Sequence, residues 1–260
     1  MKKILSLLIL FVLILTGCSK KKEETALEKI LNRDLLIVGV KTDAKPFGFI
    51  SESTGEYAGF DIDVARYVAQ DLLGSERKVK FVAVTPSNRI EAITSGEVDI
   101  VIATMSIIPQ RQYLIDFSKP YYIAGQTALV KKDSDVRTFA DLGRKTTIVV
   151  LGTTAEKNLR RIIPTAQIIG YKTNKEAFMA FQNGIGDAIS NDDTILSSFL
   201  QEHSDEYKML KNRISREPYA IGLKQSDTED NELKRLLDII ITRMHKDGTI
   251  KELKKKWQLK

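Results

Sequence analysis

Twice along this chain, short apolar runs alternate with amphipathic stretches in the order strand, helix, strand, helix, strand. Few folds accommodate that repetition. Leu35 to Val40 reads as a strand, and Asp61 to Leu73 as a helix with Ile62, Ala65, Val68, Ala69 and Leu72 on one face. Val79 to Val84 is a strand, Ser87 to Ser95 a helix stopped by Gly96, and Val98 to Ala103 a buried strand. The order restarts with a strand at Thr147 to Leu151 and a helix from about Thr154. Ala166 to Tyr171 and Ala188 to Ser190 are strands, while Lys175 to Gln182, closed by Asn183-Gly184, and Thr194 to Gln201 are helices. Strands separated by helices pair in parallel with the helices outside. The element order repeats without a convincing repeat of residues, so the expectation is an α/β chain of two similar lobes with a cleft between them. Open α/β sheets take ligands outside the carboxyl ends of their strands, so facing lobes share one site.

Two extended segments, Gln126 to Lys131 and Tyr219 to Leu223, are read as joining the lobes. Helices from about 230 to His245 and on to Trp257 then return to the first lobe. Lobe 1 is therefore discontinuous, 34–127 with 220–260, and lobe 2 spans 128–219. Two crossing strands make a hinge.

The N-terminus carries a different message. Lys2 and Lys3 precede an apolar run from Ile4 to Leu15 broken only by Ser6. It suits a secretion signal and is short of the roughly 20 residues a membrane span needs. Leu15-Thr16-Gly17-Cys18 resembles the bacterial lipobox, which implies a signal peptide over 1–17, a lipid on Cys18 and a lipidated tether over 18–33. Lys20 to Glu24 reads as solvated. A lipid-anchored protein on the extracytoplasmic face of the cell membrane is expected, whether the cell has one membrane or two. Cys18 is the only cysteine, so no internal disulfide forms and stability must come from an apolar core. The net charge of +6 falls to +4 without Lys2 and Lys3, a mild excess spread along the chain that suits an anionic ligand or surface without specifying one.

Gly59-Phe60-Asp61-Ile62-Asp63-Val64-Ala65 resembles the signature of the family 3 extracellular solute-binding proteins, the polar amino-acid receptors of ABC importers. Other segments agree in order and spacing: Val38 to Lys41 with Pro46 to Phe49; Val98 to Ala103 with Arg111 and Asp116 to Tyr121; Gly152-Thr153-Thr154; Gly186 to Ala188 with Asn191-Asp192; and Asp247 to Thr249 with Lys256-Trp257. The resemblance covers nearly all of the chain beyond Cys18. It implies the two-lobe, type II periplasmic-binding-protein-like fold, a free L-amino acid as ligand, ABC permease subunits as partners and a monomer.

A receptor that strips water from an amino acid must replace that hydration with fixed partners. Arg111 offers a planar fork for a carboxylate, and the resemblance assigns the α-carboxylate to it; otherwise it is a surface arginine after Pro109. The resemblance places Ser106 on the carboxylate and near the ammonium, and turns the Thr104 carbonyl to the ammonium. Thr153 and Glu156 have capping-box spacing, and a helix start at Thr154 attracts anions; the resemblance puts Thr154 on the carboxylate from the second lobe. Asp192 either partners the ammonium or caps the next helix, and the resemblance selects the ammonium, leaving Asp193 as the cap. At the positions of Lys41 and Arg89, relatives that bind acidic amino acids carry basic side-chain ligands, which favours glutamate or aspartate; glutamine stays open. Phe47 and Phe60 either cover the ligand's aliphatic part or belong to the core. Relatives often have a polar residue at position 151 and some have histidine at 191, where this chain has Leu151 and Asn191.

No G-x-S-x-G, HExxH or phosphate loop appears, and His203 and His245 lack metal-ligand spacing. No cofactor, metal or nucleic acid is implied. Two alternatives share the fold: a dehydratase acting on a small cyclic acid, which needs a poised acid or base in the cleft, and an amino-acid sensor or adhesin.

Overall fold

The computed structural model describes residues 24–226 and 231–259. The expected signal segment, Cys18 and its lipid lie outside them. The described chain begins with α1 (Ala26–Arg33), whose Thr25 and Glu28 form a reciprocal capping box and whose Ile30 is fully buried. Residues expected to belong to a tether therefore form a packed helix of lobe 1. An eight-residue amphipathic pattern rich in charge is easily read as solvated linker.

β1 (Leu36–Val40) leads to a small antiparallel sheet of β2 (Asp43–Ala44), β3 (Gly48–Ile50) and β4 (Tyr57–Ala58). Gly59 turns the chain into α2 (Phe60–Leu73) at φ 127, where a Cβ would sit 2.0 Å from the Phe47 carbonyl oxygen, so only glycine fits. Then come β5 (Val79–Ala83), α3 (Arg89–Thr94), β6 (Ile100–Val101), α4 (Pro109–Gln112) and β7 (Asp116–Phe117). β1 pairs in parallel with β5 and with β6, with Val38 opposite both Phe81 and Ile100.

The chain leaves lobe 1 through β8 (Tyr122–Ala124) and enters lobe 2 as β9 (Gln126–Lys131). β10 (Thr146–Val150), α5 (Ala155–Ile162), β11 (Gln167–Tyr171), α6 (Asn174–Gln182), β12 (Ala188–Asp192), α7 (Asp193–Glu202) and β13 (Tyr207–Met209) complete that lobe. β14 (Glu217–Tyr219) returns to lobe 1, where β15 (Gly222–Leu223) joins its sheet and α8 (Glu232–Lys246) and α9 (Thr249–Lys256) finish the described chain.

The strand orders are β5-β1-β6-β15-β7 and β11-β10-β12-β9-β13. In each sheet one strand, β1 or β10, sits between two parallel partners, and a strand next to the crossover, β15 or β9, runs antiparallel beside β6 or β12. Both faces of both sheets are covered: Ile62, Val68, Leu237 and Ile241 on one side of lobe 1, Ile93, Met105 and Ile115 on the other. Val149 and Leu159, and Ile148 and Phe181, do the same for lobe 2. Each such side chain contributes about 1.5–3 kcal/mol on burial.

The crossing segments lie a few residues before those expected. β8 and β14 pair only with each other, Tyr122 opposite Tyr219 and Ala124 opposite Glu217. Gln126 to Lys131 is instead the fourth strand of the lobe 2 sheet, and Gly222 to Leu223 belongs to the lobe 1 sheet. An extended apolar run has the same pattern in either setting, so sequence located the crossings only approximately.

Candidate functional site

The carboxyl ends of β1 and β6 point at those of β10 and β12 across the cleft. Lobe 1 delivers three buried cations. Lys41 follows β1, Arg89 opens α3 and Arg111 lies in α4; they are 2%, 2% and 6% exposed. Arg89 donates from Nη1 to the Ala103 carbonyl at 2.6 Å, which fixes its direction. Arg111 donates to the Ser106 carbonyl at 2.8 Å and, across the cleft, to the Gly152 carbonyl at 3.0 Å. Two of its five N–H donors are thereby used. The Lys41 ammonium has no hydrogen bond or ion pair among the described residues.

Sequence reasoning missed the acid at the floor of this group. Asp61, fully buried in α2, accepts from the Thr104 N–H at 3.0 Å and the Tyr121 hydroxyl at 2.9 Å. The first bond holds Thr104 at φ 46, a left-handed position that a β-branched residue rarely adopts. A carboxylate among Ile62, Val64, Ala65 and Val68 on the packed face of a helix is the signal that marks it.

From lobe 2 comes Asp192 at the end of β12. The Tyr219 hydroxyl donates to its Oδ2, and Oδ1 is buried without a partner. Asp192 sits at the start of α7 but makes no side-chain cap there. Asp193 turns the other way, accepting from the Thr194 and Gly125 N–H groups and pairing with Arg213.

These groups are close enough to shift one another. Burial pushes Asp192 up to about 6, Glu217 pushes it further, and the Tyr219 hydroxyl and Lys41 pull it back. Burial likewise raises Asp61 to about 6 against the hydrogen bonds from Tyr121 and Thr104. Burial lowers Lys41 to about 8, reinforced by Arg89 and opposed by Asp43, Asp192 and Asp61. Burial also lowers Arg89, to about 9, with Arg111 adding to the effect. Three unsatisfied side-chain atoms lie in this group: Arg89 Nε, Thr104 Oγ1 and Asp192 Oδ1. Each such orphan costs about 1–3 kcal/mol, a cost a polar ligand removes.

The sequence matches the bacterial extracellular solute-binding proteins, family 3, over residues 36–260. The chain belongs to this family. It is 35% identical to the ABC transporter glutamine-binding protein GlnH of Bacillus subtilis over 270 residues, covering 99% of this chain and 97% of that protein. It is 29% identical to the glutamate-binding protein GluB of Corynebacterium efficiens over 246 residues, covering 90% of this chain and 82% of that one. The crystal structure of a cysteine-binding protein from Campylobacter jejuni superposes with a TM-score of 0.83 at 33% identity, covering 90% of this chain and 93% of that one. The two-lobe, type II fold of the family is thus that of this solute-binding protein, and these relatives are binding proteins rather than enzymes.

Within this family member, Lys41, Arg89, Thr104, Ser106, Arg111 and Asp192 converge on one cleft. Thr154, also expected there, is buried at the start of α5. Its hydroxyl donates to Glu217 at 2.9 Å and accepts from the Gln126 amide at 2.6 Å, so it is turned toward the hinge. Thr153 does not form the expected capping box. Its hydroxyl donates to the Val150 carbonyl at 2.6 Å and accepts from the Ala155 N–H at 3.3 Å, while Glu156 pairs with Arg160. Thr154 holds the N-cap place, so the spacing was off by one. The Phe60 ring is fully buried, with centroids 5.9 Å from those of Phe47 and Tyr122, in an aromatic core that also holds Tyr219. It serves the hinge rather than the ligand surface.

Proposed function

We propose that this solute-binding protein takes a free polar amino acid, glutamate or aspartate ahead of glutamine, and delivers it to the permease of an ABC importer by closing its hinge. It does so as a monomer held on the extracytoplasmic face of the membrane by lipid on Cys18. The observation that carries the ligand assignment is the set of buried, unmatched groups in the cleft: an orphaned Asp192 oxygen for the ammonium, and the Arg89 Nε and Lys41 Nζ for a side-chain carboxylate. Arg111, the Ser106 N–H and the Thr154 N–H take the α-carboxylate, and the Thr104 carbonyl and Ser106 hydroxyl add to the ammonium site.

Charge favours the acidic ligand. Lys41, Arg89 and Arg111 are buried in the cleft with Asp61 and Asp192, and Glu217 acts on Arg111 as Asp43 does on Lys41. An acidic amino acid supplies a second carboxylate for Lys41 and the Arg89 Nε, cationic donors without a partner among the described residues, whereas glutamine offers them only a neutral amide oxygen. Glutamine stays as the second reading for a specific reason: Asp61 already offsets part of the Lys41 and Arg89 charge, and GlnH is named for glutamine.

Lobe 1 supplies most of the anion contacts and is the docking half. Asp192 and the Thr154 N–H reach the ligand only on closure. The ligand favours the closed form by that difference in contacts. The test is thermal shift and calorimetry of the chain from Ser19 against the common amino acids, since a ligand that binds the folded form raises its melting temperature. Glutamate or aspartate is expected to give the largest shift. A larger shift with glutamine assigns the site to the amide, and no shift with any amino acid ends the reading. Metabolic labelling with palmitate, compared with Cys18→Ser, tests the anchor.

A further inference from the structure

One short hydrogen bond between the lobes involves none of the three cations. Asp43 in β2 places Oδ2 2.6 Å from the Asn174 N–H and 3.2 Å from the Lys175 N–H, and Oδ1 3.2 Å from Asn174 Nδ2. Asn174 and Lys175 are the first two residues of α6 in the opposite lobe. That helix already carries its own cap. Thr173 Oγ1 accepts from the Glu176 N–H at 3.1 Å, and the Glu176 carboxylate accepts from the Thr173 N–H at 3.1 Å. The box satisfies the third N–H of the helix and leaves the first two without intrahelical partners. A carboxylate from lobe 1 fills both, at the positive end of the helix dipole.

The contact does not stop at the rim. Asn174 Oδ1 accepts from Asn191 Nδ2 at 2.8 Å, and Asn191 Oδ1 accepts from the Asp192 N–H at 2.8 Å. Asn174 and Asn191 are 1% and 3% exposed, so each amide is held by its neighbours rather than by water. The polarity is continuous, with acceptor meeting donor at every joint from Asp43 to the backbone of the site acid.

We infer that Asp43 is the closure latch of this receptor and, through Asn174 and Asn191, a positioning residue for Asp192. Closing the cleft gives α6 its missing cap. The same contact orients Asn174, which orients Asn191, which fixes the backbone from which the Asp192 carboxylate faces the ligand. Opening returns two N–H groups to water and frees Asn174. This rests on the amino-acid-binding reading, because the chain of bonds ends on the proposed ammonium partner.

The experiment compares wild type, Asp43→Ala, Asp43→Asn and Asn191→Ala, using the amino acid that gives the largest thermal shift with wild type. Closure is read by small-angle scattering at saturating ligand, dissociation by stopped flow, and melting temperature with and without ligand. Removing a capping carboxylate costs about 1–2 kcal/mol, so Asp43→Ala should bind roughly tenfold more weakly and dissociate correspondingly faster. Asp43→Asn, which keeps an acceptor and loses the charge, should fall between. Asn191→Ala should weaken binding while leaving the Asp43 contact and most of the closure in place. The melting temperature of the ligand-free protein should be nearly unchanged in Asp43→Ala, because an open cleft leaves the latch unmade; a merely structural Asp43 would lower it. Wild-type affinity and dissociation in Asp43→Ala, or equal losses of stability with and without ligand, would falsify the latch. Failure of wild type to bind any amino acid is a separate outcome that removes the underlying reading as well.

Discussion

The two lobes share a frame and divide the chemistry. Each is a five-stranded sheet with the same placement of parallel and antiparallel strands, yet lobe 1 brings Lys41, Arg89 and Arg111 to the cleft and lobe 2 brings Asp192 and a helix start. The ligand we propose, a zwitterion with an extra carboxylate, would meet most of its anion partners in one lobe and its charged ammonium partner in the other. Neither lobe alone would neutralise it, and on this proposal the division makes binding and closure one event.

The largest test of that division is Arg111→Ala, which removes the proposed α-carboxylate fork from lobe 1. Truncating one partner of a buried ion pair costs about 3–5 kcal/mol, so affinity should fall on the order of a thousandfold by calorimetry. An unchanged dissociation constant would break the site assignment. Asp192→Asn attacks the other lobe. It keeps the shape and an acceptor but loses the charge, and should weaken every α-amino ligand by about a hundredfold, with scattering at saturating ligand still reporting closure. Lys41→Met and Arg89→Met sharpen the comparison within lobe 1. Each should weaken glutamate or aspartate by more than tenfold while changing glutamine little; equal losses across the three ligands would argue that these cations serve structure alone.

The smallest expected effect is that of pH, and its sign differs between the empty and the loaded protein. Asp192 must be ionised in the loaded protein if it pairs with the ligand's ammonium as proposed. With its carboxyl raised to about 6, binding should weaken by about tenfold between pH 7 and pH 5. With Lys41 lowered to about 8, affinity for an acidic ligand should fall again above that pH, and affinity for glutamine should not. In the empty protein the raised carboxyls of Asp61 and Asp192 work the other way. The unfolded chain releases these protons near 3.8, so stability is lost as pH rises through about 6. The lowered Lys41 gives stability that is present above 10.5 and lost as pH falls through about 8. Near neutrality the empty cleft therefore carries unfavourable charge of both signs, and ligand-induced stabilisation should be large there.

Much of this was legible in the residues. The strands and helices of both lobes follow from periodicity, and the convergence of Lys41, Arg89, Arg111 and Asp192 follows from motifs placed at strand ends. What escaped depends on partners distant in sequence. Nothing near Asp43 announces that it caps a helix beginning at Asn174, and nothing near Asp61 names Thr104 and Tyr121. The motif at Thr154 marks a helix start, but its hydroxyl is drawn to Glu217, a partner 63 residues on. The helix at Ala26–Arg33 was within reach, because Thr25 and Glu28 have the spacing of the capping box they form. The pattern at Thr153 and Glu156 shows the same spacing and forms none, so such a signal counts only with the right residue at the cap.

That first helix has a mechanical consequence. α1 packs against α8 and buries Ile30 in the core of lobe 1, so any load on the chain's beginning is borne by lobe 1 and not by the hinge. If lipid holds Cys18, five residues lie between it and Glu24, a leash of about 20 Å at full stretch. Lobe 1 is then the stator and lobe 2 the rotor. The permease would meet one half of its cargo carrier in a nearly constant pose and read the other half's rotation as the sign that the carrier is full.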